Sequence, residues 1–237
     1  GKNAGTALTT GDSNVAIGWE ALKTEDTHAN NVAIGASALT TQNAGADAYN
    51  VAVGYNAGLS VTTGTLNTLI GGLAGDAITT GAYNTATGYA AGSGLNTGVE
   101  NTIAGALAGT ALTDADYNVA MGVQALAADT KGSKSTAIGT QTLFSQNFTT
   151  STDSLNTAVG YQAGRLVTTG VENTLIGGLA GDALTDADFN VAVGYASLSA
   201  DTLGSKSVAI GQGALNEQNF TTATDTFNVA VGHAAGN

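Results

Sequence analysis

Residues that could take part in chemistry are few in this 237-residue chain, and their spacing does not assemble a catalytic site. His28 and His233 lie far apart with no partner at metal-ligand spacing, so we interpret both as surface or stacking residues. Glycoside hydrolysis would need paired carboxylates. The glutamates occupy unrelated or duplicated positions: Glu20, Glu25, Glu100, Glu172 and Glu217. The sequence therefore predicts a protein that is not an enzyme and uses no cofactor.

Two copies of the motif TDAD place aspartates at alternating positions. The first copy supplies Asp114 and Asp116, and the second supplies Asp186 and Asp188. Carboxylate oxygens at such spacing can bind Ca²⁺, but no loop of the EF-hand kind follows either pair. We interpret both motifs as solvated acidic turns and keep the four aspartates as weak candidates for a metal site.

Two longer segments, FSQNFTTSTDSL and NEQNFTTATDTF, supply the candidates for contacts with a partner. These candidates are Asn147 and Phe148 in the first segment and Asn219 and Phe220 in the second. Exposed aromatic residues on loops are suited to contacts with a sugar or a protein. Because the segments are duplicates, a structural flap tucked against a neighbouring coil fits the pattern equally well.

All these residues are positioned by an internal repeat, whose units open with phrases such as NVAVGYNAG at 50–58. Of the twelve intervals between successive openings, nine are 17 residues, so 17 is a true period. Blocks of 72 residues (84–155 and 156–227) repeat on top of it. Asparagine opens eleven units and Ser135 and Ser207 open the others: Asn14, Asn31, Asn50, Asn67, Asn84, Asn101, Asn118, Asn156, Asn173, Asn190 and Asn228.

The repeat unit has the pattern of a β-strand followed by turns. The phrase N-[VT]-A-[IV]-G alternates with period two and is rich in β-branched residues. Seventeen residues are few for a βαβ unit, which takes about 30 or more. The sequence predicts an all-β, parallel β-solenoid of about 13–14 coils that forms one domain over 1–237. Asparagines at equivalent positions should then hydrogen-bond amide to amide along the axis.

The two faces of the repeated strand predict a partner. We expect valine and isoleucine to fill the coil interior and the alanine and glycine face to contact another chain. The prediction is a homo-oligomer, specifically a homotrimer. The alternative is a monomer in which the second segment of each unit covers that face.

Charge and hydropathy exclude other partners. Six basic residues against 18 acidic ones give a formal charge of −12, which argues against nucleic acid. No stretch approaches the roughly 18 apolar residues that a membrane span needs, so we expect no membrane insertion.

The phrases NVAIGWEAL, NTAVGYQAG and SVAIGQGAL resemble the repeats of bacteriophage tail-fibre proteins. They are also similar to repeats in the β-roll head domains of trimeric autotransporter adhesins. The resemblance implies a left-handed β-roll, three chains per fibre, and a role in reaching or holding a host cell surface through a glycan or protein. Autotransporter heads use shorter units that open with N-S, so the 17-residue unit favours a tail fibre.

We therefore expect a segment of a longer fibre protein in the virion. The alternative is a bacterial adhesin head, extracellular and on the cell surface. A third class is an ice-binding solenoid, which needs a regular T-x-T face. Thr68, Thr85 and Thr102 fit such a face, but valine occupies the equivalent position in other units.

Overall fold

The computed structural model describes every residue from Gly1 to Asn237 and contains short strands, turns and no helix. The chain divides into two compact units, Gly1–Tyr117 and Asn118–Asn237. Six coils form the first unit and seven the second, with one strand of the main sheet in each coil. The predicted parallel β-solenoid with a 17-residue repeat is confirmed, while the single domain over 1–237 stays a prediction.

The strands of the first unit follow one another in sheet order: β1 (Val15–Ile17), β2 (Val32–Ile34), β3 (Val51–Val53), β4 (Thr68–Ile70), β5 (Thr85–Thr87) and β6 (Thr102–Ala104). All pairs in this unit are parallel, and each residue lies beside its own equivalent, as Val15 lies beside Val32. Because the register never slips, every column of equivalent residues is continuous through the unit.

The second unit has the same sheet with two small additions. Its main strands are β7 (Val119–Met121), β9 (Thr136–Ile138), β11 (Thr157–Val159), β12 (Thr174–Ile176), β13 (Val191–Val193), β15 (Val208–Ile210) and β17 (Val229–Val231). Two-residue strands form two further parallel pairs: β8 (Gly132–Ser133) with β10 (Thr152–Asp153), and β14 (Gly204–Ser205) with β16 (Thr224–Asp225). In each pair the second strand lies in a 21-residue coil (135–155 or 207–227) and the first strand lies in the 17-residue coil before it.

Coil positions are numbered here from the repeat asparagine or serine, which is position 1, and the residue just before it is position 0. The prediction that valine and isoleucine fill the coil is wrong. Ala52 at position 3 is fully buried, whereas Val51 and Val53 beside it are only partly buried. The alanine face therefore lies inside the coil and cannot be the contact with another chain.

The reason is the small cross-section of a 17-residue coil. Its interior already holds the side chains of positions 1, 8 and 12 in most coils, which leaves room for little more than alanine at position 3. The larger Leu69 fits at position 3 because glycines lie next to it. A Cβ on Gly58 or Gly75 would lie within 2.8 Å of a Leu69 methyl group.

Two types of coil fill this interior in different ways, and residues 9 and 12 distinguish them. Glycine at position 9 accompanies an aliphatic residue at position 12, as in Gly75 and Ile78, where an added Cβ would lie 2.7 Å from Ile78 Cδ1. Leucine at position 9 accompanies a polar residue at position 12. The polar coils contain these pairs: Leu22/Glu25, Leu39/Gln42, Leu126/Asp129, Leu143/Gln146, Leu198/Asp201 and Leu215/Gln218.

Bends at both ends of the strand use left-handed backbone conformations. Glycine at position 5 has φ between 128° and 145° in every coil, a conformation that its missing Cβ permits and that bends the chain after the strand. Positions 0 and 7 are left-handed too, although larger residues occupy them, such as Tyr83 (φ 59°) and Leu73 (φ 61°). Such residues are strained on their own, so the stacked neighbours must hold the bend.

The adjacent glycines Gly71 and Gly72 test this account with a matched pair of substitutions. In Gly71→Ala the new Cβ would lie 2.4 Å from the Gly88 carbonyl oxygen at a φ of 134°, so we expect a loss of about 1–3 kcal/mol or more. In Gly72→Ala the nearest atom lies 3.7 Å away, and stability should change little. Urea unfolding followed by circular dichroism measures both, and equal midpoints for the two variants would contradict the stacking geometry.

Candidate functional site

The column of asparagines at position 1 is the most regular polar feature of the structure. Asn67 Oδ1 accepts a hydrogen bond from the backbone N–H of Asn84 in the next coil at 3.0 Å. Asn67 Nδ2 donates to the Gly81 carbonyl oxygen of its own coil at 2.9 Å. One buried side chain therefore both closes its own coil and joins it to the next.

The predicted amide-to-amide bonds form at some of these steps. Asn84 Nδ2 lies 3.2 Å from Asn67 Oδ1, and Asn101 Nδ2 lies 3.1 Å from Asn84 Oδ1. The bonds from the same amides to carbonyl oxygens within the coil are shorter, at 2.8 Å for both. The asparagine column is therefore a structural element whose first task is to satisfy buried backbone groups.

A buried carboxylate paired with a buried glutamine marks the start of each enlarged coil. Asp129 Oδ1 accepts hydrogen bonds from the backbone N–H groups of Gly132 and Phe148, each at 3.0 Å. Its Oδ2 accepts one from Gln146 Nε2 at 2.6 Å. Gln146 Oε1 in turn accepts from Asn156 Nδ2 at 2.9 Å. A charged group is thus held inside the coil by three donors and linked to the asparagine column.

The same pair occurs in the second 21-residue coil and, in modified form, in the 19-residue coil. Asp201 Oδ2 accepts from Gln218 Nε2 at 2.5 Å, and Gln218 Oε1 accepts from Asn228 Nδ2 at 2.7 Å. In the 19-residue coil Gln42 bridges Asn31 and Asn50, and it lies 3.5 Å from Glu25. We call these three arrangements the carboxylate–glutamine pairs.

The serines that replace asparagine at position 1 belong to the same arrangement. Ser135 Oγ accepts a hydrogen bond from Gln146 Nε2 at 2.8 Å and lies 2.5 Å from Ser154 Oγ. The inserted residues then pair with the preceding coil through β8 and β10, where Lys134 and Asp153 form an ion pair of 2.5 Å. Strand pairing and an ion pair thus attach the inserted residues to the preceding coil.

The four candidates for loop contacts divide into exposed and tucked residues. Asn147 and Asn219 are exposed, and their Oδ1 atoms accept hydrogen bonds from Thr130 and Thr202 of the preceding coil. Phe148 is only 6% exposed and lies against Gly132. Phe220 is half-buried. The flap alternative therefore describes Phe148, whereas a contact role for the two asparagines stays a prediction.

In each TDAD motif the second aspartate binds a backbone group of the preceding coil, and the first binds a threonine hydroxyl. Asp116 Oδ1 accepts from the Val99 N–H, and Asp188 Oδ1 from the Val171 N–H, each at 2.8 Å. Asp186 Oδ1 accepts from Thr169 Oγ1 at 2.6 Å, and Asp114 Oδ1 from Thr113 Oγ1 at 3.1 Å. These bonds describe turns that link coils, and a calcium site at them stays a prediction.

His28 is not isolated, as the sequence suggested, but belongs to a cluster with Glu25 and Asp26. Its Nδ1 lies 3.0 Å from Glu25 Oε1 and 3.9 Å from Asp26 Oδ1. The ligand atoms of these three residues lie within 4.8 Å of one another, an arrangement that could hold a metal ion. Glu25 Oε1 also accepts from the backbone N–H groups of Asp26 and His28. Local hydrogen bonds therefore account for the cluster.

Two aspartates at position 10 carry an electrostatic cost. Asp76 Oδ1 and Asp182 Oδ1 are buried without a hydrogen-bond partner. Burial raises the pKa of both carboxyl groups, and an interaction with their own backbone N–H opposes the change. At Asp182 the charge of Arg165 also opposes it. The ionised form of each aspartate should therefore disfavour the folded state.

Exposed apolar residues concentrate on one strip of the coils, which we call the outer strip and define as positions 0, 2, 4 and 6. It contains 22 of the 24 exposed large hydrophobic residues, including all seven tyrosines and Trp19. Tyr55, for example, is 62% exposed. Monomeric soluble proteins rarely expose a continuous apolar surface of this extent.

One concavity lies on the last coil, lined by inward-facing residues that include Leu215, Gln218 and Ala230. In other coils the residues at these positions, such as Leu39 and Ala52, are fully buried by their neighbours. The concavity is therefore lined by residues of the kind that fill the coil interior elsewhere.

The signal for the carboxylate–glutamine pairs was present in the sequence. Position 12 changes from aliphatic to acidic or glutamine only when position 9 is leucine. Glutamates alone do not reveal this pattern, because the paired residues are mostly aspartates and glutamines at one position of successive coils.

Fold and asparagine column together define the class of the chain as a parallel β-solenoid. No protein-family model, no curated protein and no solved structure matches the chain. The structure contains no helix of a length and hydropathy suited to crossing a membrane.

Exchanging the carboxylate and the amide between positions 129 and 146 tests the carboxylate–glutamine pair. Asp129→Asn places an amide against the Gln146 amide, and Gln146→Glu places two carboxylates together, so each should cost about 1–3 kcal/mol. The double variant restores a donor–acceptor pair and should recover most of the loss. Urea midpoints of all four proteins measure the coupling. Additive losses would show that the two side chains act independently.

Substitution of the buried aspartates tests the electrostatic cost. The folded-state pKa of Asp76 lies above its ordinary value of 3.8, so its penalty is fully present above the folded pKa and disappears as pH falls towards 3.8. Asp76→Asn should therefore stabilise the protein at pH 7 and have no such advantage at pH 3. Asp182→Asn should show the same pH dependence, because burial raises the pKa of its carboxyl group too. Thermal unfolding across this pH range measures both, and an Asp76→Asn gain independent of pH would contradict the assignment.

Proposed function

We propose that this chain is a segment of a bacteriophage tail fibre, a stiff homotrimeric part used in attachment to the host cell. The observation that carries the proposal is the asparagine column. Each repeat forms one coil, and its asparagine hydrogen-bonds to a neighbouring coil, as Asn67 does. A repeat of this kind sets length in steps of about 4.8 Å without changing the cross-section. Reach at constant cross-section is what a fibre requires.

The mechanism is mechanical. The buried asparagine of a coil bonds both to its own coil and to a neighbouring coil, as Asn67 illustrates. Bending a coil away from its neighbour would break several such bonds together, and each would leave a buried group unpaired. Stiffness therefore follows from the same bonds that set the register.

The enlarged coils are the places where specificity would reside in such a fibre. Ser135–Leu155 and Ser207–Phe227 add polar residues at the surface, with Asn147 and Asn219 exposed. Their attachment to the preceding coil would hold these residues in fixed positions relative to a host glycan or protein.

Bacterial adhesin heads and ice-binding solenoids are the other classes that the sequence admits. Two outward threonines in one strand occur in β5 alone, at Thr85 and Thr87, so the regular T-x-T face of an ice-binding protein is lacking. The adhesin differs from the tail fibre in location, which an experiment can decide.

Antibodies raised against residues 1–237 test the proposal. On phage encoding the chain, they should label the tail fibres in electron micrographs and reduce adsorption to host cells. Antibodies absorbed beforehand with the purified chain are the control. Labelling of uninfected bacteria, with no label on virions, would overturn the proposal in favour of the adhesin.

A further inference from the structure

Residue types on the outer strip also follow a two-coil alternation that the 17-residue repeat does not require. At position 6 aromatic residues mostly alternate with smaller or polar ones, and at position 0 aromatic residues mostly alternate with leucine or a charged residue. Tyr49 and Tyr55 belong to one coil, Leu66 and Gly72 to the next, and the following coil has tyrosine again. In the second unit, coils with large residues also alternate with coils that carry Glu172 and Gly178 or Lys206 and Gln212.

Glycines of neighbouring coils leave space beside the tyrosine rings at position 6. Successive coils rise by about 4.8 Å, and a glycine in the preceding coil lets the ring lie over that coil. The Tyr89 ring accordingly lies beside Gly72 of the preceding coil, 3.7 Å from where a Cβ would be, and Tyr195 lies beside Gly178 in the same way. The strip is therefore ridged, with ridges about 9.6 Å apart along the stack.

The exposed area is large enough for a stable contact. Six aromatic side chains lie on the strip of the first unit, each about half exposed or more, and together they offer roughly 600 Å². Valine, isoleucine and leucine of the same strip raise the apolar area to the order of 800 Å², which each partner contributes to an interface of standard size.

Charge on the strip differs from charge on the rest of the chain. The whole chain has a formal charge of −12, whereas the strip carries two lysines and two glutamates: Lys134, Lys206, Glu100 and Glu172. Like-charged copies repel one another in general. Association through a strip without net charge minimises that repulsion, and another copy has the same ridge spacing by construction.

We propose that the outer strip is the surface through which copies of this chain associate, with aromatic ridges buried between them. The proposal rests on the self-association that the proposed function includes, and it names the surface responsible. It also replaces the alanine and glycine face, which lies inside the coil. Tyrosine and tryptophan are enriched among the residues that dominate such contacts.

Sedimentation equilibrium of the full chain tests the proposal with charged substitutions on and off the strip. The double variant Tyr55→Lys/Tyr89→Lys should weaken association more than about a hundredfold, since each buried aromatic anchor contributes about 2 kcal/mol or more. Leu107→Lys and Leu166→Lys are the matched controls, because both residues are exposed but lie off the strip. Each should associate as the unaltered chain does.

The double variant Tyr55→Ala/Tyr89→Ala guards against an effect of the new charges, and circular dichroism checks folding. Added salt should strengthen association, because it screens the repulsion between acidic copies. A monomeric unaltered chain, or equal effects of strip and control variants, would overturn the proposal. Association that survives the strip variants would leave the tail-fibre proposal standing, and virion labelling tests that separately.

Discussion

The two-way hydrogen bonding of one buried asparagine is the interaction on which the structure depends. Its carbonyl oxygen accepts from the next coil, and its amide nitrogen donates within its own coil, as at Asn84. Each coil has only a three-residue strand in the main sheet, so many of its backbone groups lie in turns and need partners outside that sheet. The asparagine supplies both missing partners from one side chain, and replacing them by water is impossible in an interior filled with alanine and leucine.

Much of the fold could be predicted because the same residue pattern occurs in thirteen successive units. Period, strand position, parallel pairing and the bend at position 5 all follow from residue types in fixed columns. The sequence did not indicate which face of each strand points into the coil. Both faces of Val-Ala-Val are apolar, and the choice depends on the space left by positions 8 and 12, which only the closed coil defines.

The bends at positions 0 and 7 were equally hidden. Local signals for left-handed backbone are glycine and asparagine, yet Tyr83 and Leu73 adopt it. Stacking imposes the conformation on them from the coils on either side. The carboxylate–glutamine pairs were hidden for a different reason, since Asp129 and Gln146 are 17 residues apart and each is unremarkable alone. Their meaning appears only when equivalent positions of successive coils are compared.

The placement of these pairs has a consequence for how such a chain can change over generations. Asp129 and Gln146 both lie in the block 84–155, and Asp201 and Gln218 both lie in its duplicate, 156–227. Copying one coil alone would separate a carboxylate from its glutamine and bury it without its donor. Recombination that lengthens the gene therefore keeps every pair intact when the copied piece contains both coils of a pair or neither, and the 72-residue duplication contains both.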